Sequence, residues 1–223
     1  MPISGFFSAV LFDMDGTLVN TEPLWLLSEQ DLTGRYGYPW TSDDQAHCLG
    51  GPLDRVGRYM HERTNAETPE FFTNTLIDLM AERLHQGAPL MPGSEVLMDL
   101  LTRMGIPMAL VSASPRVLVD AVLENLDSHP FQISISSDDV AKVKPHPEGY
   151  LKAATFLGSE ISNTLILEDS ETGVTAAKES GGWVIAVPHL VHIESVGRVK
   201  TYDSLEALNE VELLLHYRNC IAN

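Results

Sequence analysis

The sequence is poor in positive charge, with 14 lysine and arginine residues against 31 aspartate and glutamate residues and a net charge of −17. Nucleic acids and anionic membrane surfaces bind clustered positive charge, so this balance argues against both as partners. A phosphorylated substrate would also be repelled by the protein as a whole. Any anion site must therefore be built locally, from lysine, backbone N–H groups and a metal ion.

Cysteines and long apolar runs are also scarce. The two cysteines, Cys48 and Cys220, are far apart and have no metal-ligand spacing, which argues against a disulfide scaffold. The longest apolar stretches are far shorter than the ~20 residues that span a bilayer. The N-terminus lacks the positive residues of a signal peptide. We therefore expect a protein of the reducing cytoplasm with no membrane partner.

The pattern of apolar residues predicts an α/β fold. Strands without polar alternation, separated by helical stretches, are typical of a parallel sheet covered by helices on both faces. With 223 residues, 44% of them hydrophobic, the chain is long enough for one large domain or a domain with an insert. Five short apolar runs predict strands, around Val10–Phe12, Met108–Val111, Ile133–Ile135, Leu165–Leu167 and Val184–Val187.

The region from about Glu22 to Pro89 has helical patterning and no convincing strand. The simplest account is a helical insert that folds as its own lobe over the carboxyl edge of the sheet, joined by linkers rich in glycine and proline. The predicted organisation is a Rossmann-like core over residues 1–18 and 91–223 and an α-helical cap over 19–90. One continuous mixed domain is the alternative.

Two carboxylates, Asp13 and Asp15, follow the first predicted strand, with Gly16 directly behind them. Side chains at i and i+2 of an extended segment point to the same side, just beyond the strand end where open α/β sheets bind ligands. Such a pair needs a cation or a shared proton, and hard divalent cations prefer oxygen ligands. One carboxylate could attack while the other handles protons. A solvated turn is the alternative for the pair alone.

Three more polar clusters are predicted to lie at strand ends. Ser112-Ala113-Ser114 supplies hydroxyls and backbone N–H groups near a helix start, which is an anion-binding arrangement. Lys144 precedes Pro145, which restricts its backbone and allows its charge to be aimed. Glu168-Asp169 supplies further carboxylates. Each cluster alone also fits a helix cap or a loop, but together at one sheet edge they indicate magnesium-assisted phosphoryl transfer.

In order, these four clusters resemble the four motifs of the haloacid dehalogenase (HAD) superfamily, over nearly the whole chain. The subgroup with a helical cap, which includes sugar-phosphate phosphatases and β-phosphoglucomutase, is the most similar. The resemblance implies that Asp13 is the nucleophile that forms an aspartyl-phosphate and that Asp15 is the general acid/base. It also implies that Ser112 holds the transferring phosphoryl group and that Lys144 balances charge on Asp13 and the phosphate.

The resemblance further implies a Mg²⁺ site formed by the side chains of Asp13 and Asp169 and the backbone carbonyl of Asp15. Glu168 matches a metal ligand or a supporting acid of the same site. Ala113 and Ser114 are expected to bind the substrate at its phosphoryl oxygens. The dehalogenases of the superfamily lack the second aspartate of the first motif, so the presence of Asp15 argues against dehalogenation.

A β-phosphoglucomutase-like isomerase is the alternative enzyme, and a non-catalytic binding protein is a third hypothesis. In chains resembling that mutase, a cap histidine lies near Trp25 and an arginine near Leu53-Asp54. Neither matches here, although Arg55 and Arg58 are close to the second position.

The segment containing Glu22 and Trp25 resembles the start of the cap in hexose-phosphate phosphatases. There Glu22 would bond a sugar hydroxyl and Trp25 would pack on a sugar ring, or else belong to the cap core. The resulting prediction is a monomeric, cytoplasmic, magnesium-dependent phosphatase of a small phosphorylated metabolite. A hexose or deoxyhexose phosphate is the first choice, with the cap closing over it.

Overall fold

A parallel sheet of six strands organises the part of the chain that the computed structural model describes, residues 5–48, 52–126, 128–188 and 191–221. The strand order is β3-β2-β1-β4-β5-β6, and every neighbouring pair is parallel. The strands are β1 (Ala9–Phe12), β2 (Met108–Val111), β3 (Phe131–Ile135), β4 (Thr164–Glu168), β5 (Trp183–Ala186) and β6 (Val199–Thr201).

Both faces of the sheet are buried. The three central strands β1, β2 and β4 are buried at every residue. One face packs Leu11 against Tyr150 and Val174 of two covering helices, while Val10 and Phe12 point to the opposite face and are also fully buried. The helices that accompany the sheet are α5 (Ser94–Arg103), α6 (Arg116–Glu124), α7 (Glu148–Phe156), α8 (Glu171–Ser180) and α9 (Glu210–Ile221). The predicted Rossmann-like α/β class is confirmed.

The sixth strand, β6, was absent from the sequence prediction, which placed five. It is three residues long, and of these only Val199 is buried. Val199 pairs with Val184 of β5 at the edge of the sheet. A short edge strand that carries Lys200 has no apolar run, so its sequence gives no strand pattern.

The register of the central strands determines where the polar motifs lie. Phe12, the last residue of β1, pairs with Leu110 of β2 on one side and with Leu167 of β4 on the other. The residues that follow these three strands therefore leave the sheet at the same edge. Asp13, Ser112 and Asp169 are the first residues beyond the three strands.

A second compact unit is helical and comprises Thr21–Ala88 and Asp120–Leu126, whereas the sheet unit comprises residues 1–20, 89–119 and 127–223. Pro69 at the first position of the fourth helix and Thr68, whose hydroxyl accepts from the Phe71 N–H, fix where that helix begins. The buried core of this helical unit contains Leu32, Trp40, Met60, Phe72 and Leu76. Its helices are α1 (Glu22–Gly34), α2 (Ser42–Cys48), α3 (Leu53–Thr64) and α4 (Pro69–Leu84).

The grouping of Asp120–Leu126 with the helical unit differs from the predicted core, which runs without interruption over 91–223. Within the helical unit, the Asn125 side-chain amide donates to the Leu84 carbonyl at 2.8 Å. The cysteines Cys48 and Cys220 are free and buried. Within the described ranges, no helix combines the length and apolarity needed to cross a membrane.

Candidate active site

The loop after β1 turns back on itself directly beyond the sheet. The Asp13 N–H donates to the Leu167 carbonyl at 3.0 Å, which continues the sheet pairing by one residue. The N–H groups of Leu18 and Val19 then both donate to the Met14 carbonyl at 3.0 Å. Gly16 lies within this turn with φ +81°, a left-handed conformation that favours glycine. The turn holds Asp13 and Asp15 at the carboxyl edge of the sheet.

Lys144 is a buried cation whose three protons all have acceptors. Its Nζ lies 2.5 Å from Oδ1 of Asp13, 2.7 Å from Oε1 of Glu168 and 2.9 Å from the Val111 carbonyl. Burial lowers the pKa of Lys144, but the charges of Asp13 and Glu168 outweigh it and raise the pKa above its ordinary value. The ammonium group is therefore a fixed positive charge beside Asp13.

Glu168 is completely buried, and both of its oxygens accept hydrogen bonds. Oε2 accepts from the N–H of Asp169 at 3.1 Å and from the N–H and hydroxyl of Ser170 at 3.3 and 3.2 Å. Oε1 accepts from the Tyr150 hydroxyl at 2.5 Å in addition to Lys144. This many donors keep a buried carboxylate in one orientation.

Asp13, Glu168 and Asp169 form a cluster of carboxylates that is suited to a divalent cation. One oxygen from each lies within 4.8 Å of the others. Burial, with the charges of Glu168 and Asp15, raises the pKa of Asp13 to about 8 even though Lys144 lowers it. Burial and the charge of Asp13 likewise hold the pKa of Asp169 well above its usual range. The three carboxylates are hard oxygen donors, and Lys144 supplies only one positive charge to offset them. Such a donor set fits a hard divalent cation, so the residues present fit the predicted Mg²⁺.

Asp15 lies beside the loop after β2. The Ser114 hydroxyl donates to Oδ2 of Asp15 at 2.9 Å, and the Ser112 hydroxyl lies 3.4 Å from the same oxygen. The Ser114 N–H donates to the Ser112 hydroxyl at 2.9 Å, which makes the loop compact. Ala113 lies between the two serines and is exposed.

Seven predicted site residues thus lie together at one edge of the sheet, whereas Glu22 and Trp25 belong to α1 of the helical unit. The seven are Asp13, Asp15, Ser112, Ser114, Lys144, Glu168 and Asp169. Within the helical unit, Oε2 of Glu22 accepts from the Gln45 side-chain amide at 3.1 Å. Trp25 is partly buried and packs against the apolar core of that unit.

The two arginines near the mutase position have partners inside the helical unit. Arg55 Nη2 donates to the His47 carbonyl at 2.9 Å. Arg58 pairs with Asp54 at 3.0 Å on an exposed helical face. Both contacts join residues of the helical unit itself.

Three residues that contact the site carried no predicted role. Tyr150 bonds Glu168, Ser170 caps α8 while bonding the same carboxylate, and the Thr17 hydroxyl lies 3.5 Å from Oδ1 of Asp169. Thr17 and Ser170 adjoin the motifs, so proximity in sequence is a signal for them. Tyr150 offers a weaker one, a lone hydroxyl on the buried side of α7.

A family model described as haloacid dehalogenase-like hydrolase matches residues 10–187. Validoxylamine A 7'-phosphate phosphatase of Streptomyces hygroscopicus subsp. limoneus is 31% identical over 217 residues, covering 94% of this chain and 93% of the relative. Hexitol phosphatase B of Escherichia coli strain K12 is 30% identical over 184 residues, covering 81% and 83%. The crystal structure of a putative beta-phosphoglucomutase from Thermotoga maritima is 26% identical with a TM-score of 0.74, covering 95% and 99%.

These matches agree with the motif order and with the sheet that carries the motifs. The two named phosphatases are phosphoric monoester hydrolases, which confirms the predicted enzyme class. The family match extends from β1 to the end of β5 and so includes every strand-end cluster described above. The chain belongs to the haloacid dehalogenase-like hydrolase family.

Proposed function

We propose that the protein is a magnesium-dependent phosphatase that hydrolyses a small phosphorylated carbohydrate through an aspartyl-phosphate on Asp13. The observation that carries the proposal is the buried Asp13–Lys144 pair, 2.5 Å apart, beside a cluster of three carboxylates. The named relatives support the substrate class, since one is a hexitol phosphatase and another a phosphatase of a validoxylamine phosphate. A hexose or deoxyhexose phosphate is the first candidate.

In the first half-reaction, a carboxylate oxygen of Asp13 attacks phosphorus and the bond from phosphorus to the leaving alcohol breaks. Asp15 gives its proton to the leaving oxygen, so the alcohol departs neutral. The Ser112 and Ser114 hydroxyls lie beside Oδ2 of Asp15 and are proposed to orient its carboxyl group toward the leaving oxygen.

In the second half-reaction, Asp15 takes a proton from water and the water oxygen attacks phosphorus. The bond between phosphorus and Asp13 breaks, which releases inorganic phosphate and restores both aspartates. One residue thus acts as acid and then as base, and this requires that it return to its starting protonation state in each cycle.

Positive charge is what the site must supply, because the cluster and the substrate are both anionic. Lys144 provides one fixed charge at Asp13. Asp13 and Asp169, with the Asp15 carbonyl, would hold the Mg²⁺ ion, which supplies charge stabilisation for the carboxylates and the phosphoryl oxygens. Glu168 holds Lys144 from the other side. Ser112 is proposed to hold the transferring phosphoryl group, and the Ala113 and Ser114 segment to bind the phosphoryl oxygens.

The helical unit is proposed to select the carbohydrate part of the substrate. Glu22 would accept a hydrogen bond from a sugar hydroxyl, and Trp25 would offer an aromatic face to the ring. The low content of lysine and arginine supports a small metabolite over a nucleic acid. We further propose that the protein acts in the cytoplasm as a monomer.

The experiment that tests the function is magnesium-dependent release of phosphate from a panel of hexose, deoxyhexose and hexitol phosphates, nucleotides and phosphoglycolate. Wild type is compared with Asp13→Asn, which removes the nucleophile and one metal ligand without changing volume. Release by wild type that disappears with chelator and in Asp13→Asn supports the proposal. Substantial turnover by Asp13→Asn contradicts the nucleophile assignment.

The isomerase alternative has its own outcome in the same experiment. Its signature is glucose 6-phosphate formed from β-glucose 1-phosphate by wild type without release of phosphate. A wild type that releases no phosphate across the panel contradicts the phosphatase proposal, whatever the isomerase assay shows.

A further inference from the structure

Tyr150 contacts both members of the Lys144–Glu168 pair, although no role is predicted for it from the sequence. The residue is buried, with 1% of its surface exposed. Its hydroxyl donates to Oε1 of Glu168 at 2.5 Å, the same oxygen that accepts from Lys144 at 2.7 Å. Its ring centre lies 4.9 Å from the Lys144 Nζ. Lys144 and Tyr150 therefore belong to one short segment, which runs from Lys144 into the first turn of α7.

The hydrogen bonds of Glu168 divide unevenly between its two oxygens. Oε2 is held by the N–H groups of Asp169 and Ser170 and by the Ser170 hydroxyl. Oε1 accepts from two side chains, Lys144 and Tyr150. Without the Tyr150 hydroxyl, Oε1 would keep Lys144 as its one side-chain donor among the described residues, and the carboxylate could tilt about the side that is held through Oε2.

The position of Oε1 matters because it limits where the Lys144 ammonium group can lie. Nζ has three acceptors, and one of them is Asp13 Oδ1 at 2.5 Å. A change in the Glu168 carboxylate therefore shifts Nζ relative to Asp13. Misplacement of a charge by about 1 Å is enough to cost about 100-fold in rate in an active site.

We propose that Tyr150 is a positioning residue, whose hydroxyl fixes Oε1 of Glu168 and thereby aims Lys144 at Asp13. The inference rests on the proposed function, since it assigns a purpose to Lys144 in phosphoryl transfer. The competing explanation is that Tyr150 only fills the core between α7 and the sheet, where its ring packs. Tyr150→Phe separates the two, because it keeps the ring and removes the hydroxyl.

The matched control is Tyr202→Phe. The Tyr202 hydroxyl also donates to a carboxylate, Oε1 of Glu212 at 2.6 Å, and Lys200 Nζ lies 5.8 Å from its ring. Tyr202, Glu212 and Lys200 thus form a tyrosine–glutamate–lysine group like that of Tyr150, Glu168 and Lys144. None of the contacts given for this second group involves a site residue described above. Loss of a tyrosine hydroxyl as such should therefore affect both variants alike.

The first measurement is steady-state kinetics on the best substrate of wild type. Tyr150→Phe is expected to lower kcat about tenfold or more with KM changed less than about twofold, because the misplaced charge acts in the transition state. Tyr202→Phe should keep the kcat of wild type. An unchanged kcat in Tyr150→Phe, or equal losses in the two variants, overturns the proposal.

The second measurement does not depend on turnover. Lysine acetylation by acetic anhydride, followed by mass spectrometry, compares the labelling rate of Lys144 with that of the exposed Lys152. Tyr150→Phe should speed Lys144 labelling several-fold, while Tyr202→Phe should not. Faster labelling in a protein that releases no phosphate would remove the proposed function and keep the positioning role. Unchanged labelling in Tyr150→Phe overturns the positioning role, even if wild type is an active phosphatase.

Discussion

A Cβ atom added to Gly16 would lie 2.1 Å from Oδ2 of Asp169, a separation that no real pair of atoms of this kind adopts. Gly16→Ala should therefore displace the Asp169 carboxylate from the cluster with Asp13. We expect kcat/KM to fall at least about 100-fold, because displacement by about 1 Å has this effect in an active site. Phosphate release measures the loss of activity. The thermal shift produced by MgCl₂ measures the effect of the displaced Asp169 carboxylate on metal binding.

Gly105 provides the control for backbone strain. Its φ of +68° is also left-handed, but nothing lies within 4 Å of an added Cβ. Gly105→Ala should cost stability through strain alone, about 1–2 kcal/mol, and leave kcat/KM unchanged. Equal losses of activity in both alanine variants would show that strain, and not the Asp169 contact, is responsible.

Lys144→Met should leave Asp13 without its nearest positive charge. Lys144 lowers the pKa of Asp13, so its removal takes away a charge that favours the carboxylate form and that would offset the incoming phosphoryl group. We expect kcat to fall about 10²–10³-fold, which is typical for loss of one electrostatic group. Single-turnover kinetics should place the loss in phosphorylation of Asp13. Lys152→Met, an exposed lysine that bonds the Asp139 carbonyl, should retain full activity.

Ser114→Ala should weaken the acid role of Asp15 and spare its neighbours. The variant removes the donor that lies 2.9 Å from Oδ2 of Asp15. Leaving-group protonation matters for a sugar alcohol and little for an aryl alcohol, so sugar-phosphate turnover should fall about tenfold and aryl-phosphate turnover less. Parallel assays on the two substrates check this. Equal losses on both would mean that the Ser114 hydroxyl contributes only to the proposed binding of the phosphoryl oxygens and not to the acid role of Asp15.

Glu29 of α1 should make the stability of the protein depend on pH. The side chain is buried, and its Oε2 makes no hydrogen bond. Burial raises the pKa of Glu29 to about 7, the Trp40 indole opposes the rise, and the charges of Glu22 and Asp44 add to it. Between pH 4.5, the pKa of Glu29 in the unfolded chain, and about pH 7, the folded state binds more protons than the unfolded state. The free energy of unfolding therefore falls as the pH rises through this range.

Glu29→Gln should therefore stabilise the protein above neutral pH. Because the charged form is disfavoured on folding, we expect a gain of about 2 kcal/mol near pH 7.5 that largely disappears near pH 5. Urea unfolding at the two pH values measures it. Glu82→Gln, at an exposed position of α4, is the control and should show no gain at either pH. A gain that does not depend on pH would contradict the titration of Glu29.

The sequence predicts best those features that have a local cause. Asp13 and Ser112 could be placed at one edge because each follows a short apolar run, and parallel strands end on the same side. Tyr150 could not, because its role depends on which face of α7 meets the sheet. β6 could not be predicted, because it has no apolar run and is a strand only through its pairing with β5. The burial of Glu29 is likewise a tertiary effect, set by the helices around it.

The order of strands in the sheet has a consequence for how the protein acquires activity. Asp13 and Lys144 are 131 residues apart in sequence, and Asp15 and Ser114 are 99 apart. Contacts between such distant residues close late, because the entropy of long loops must be lost before they form. After dilution from denaturant, helical circular dichroism should therefore recover before enzymatic turnover does. Turnover needs these contacts, so it should return no earlier than the β2-β1-β4 pairing that brings the motif residues together.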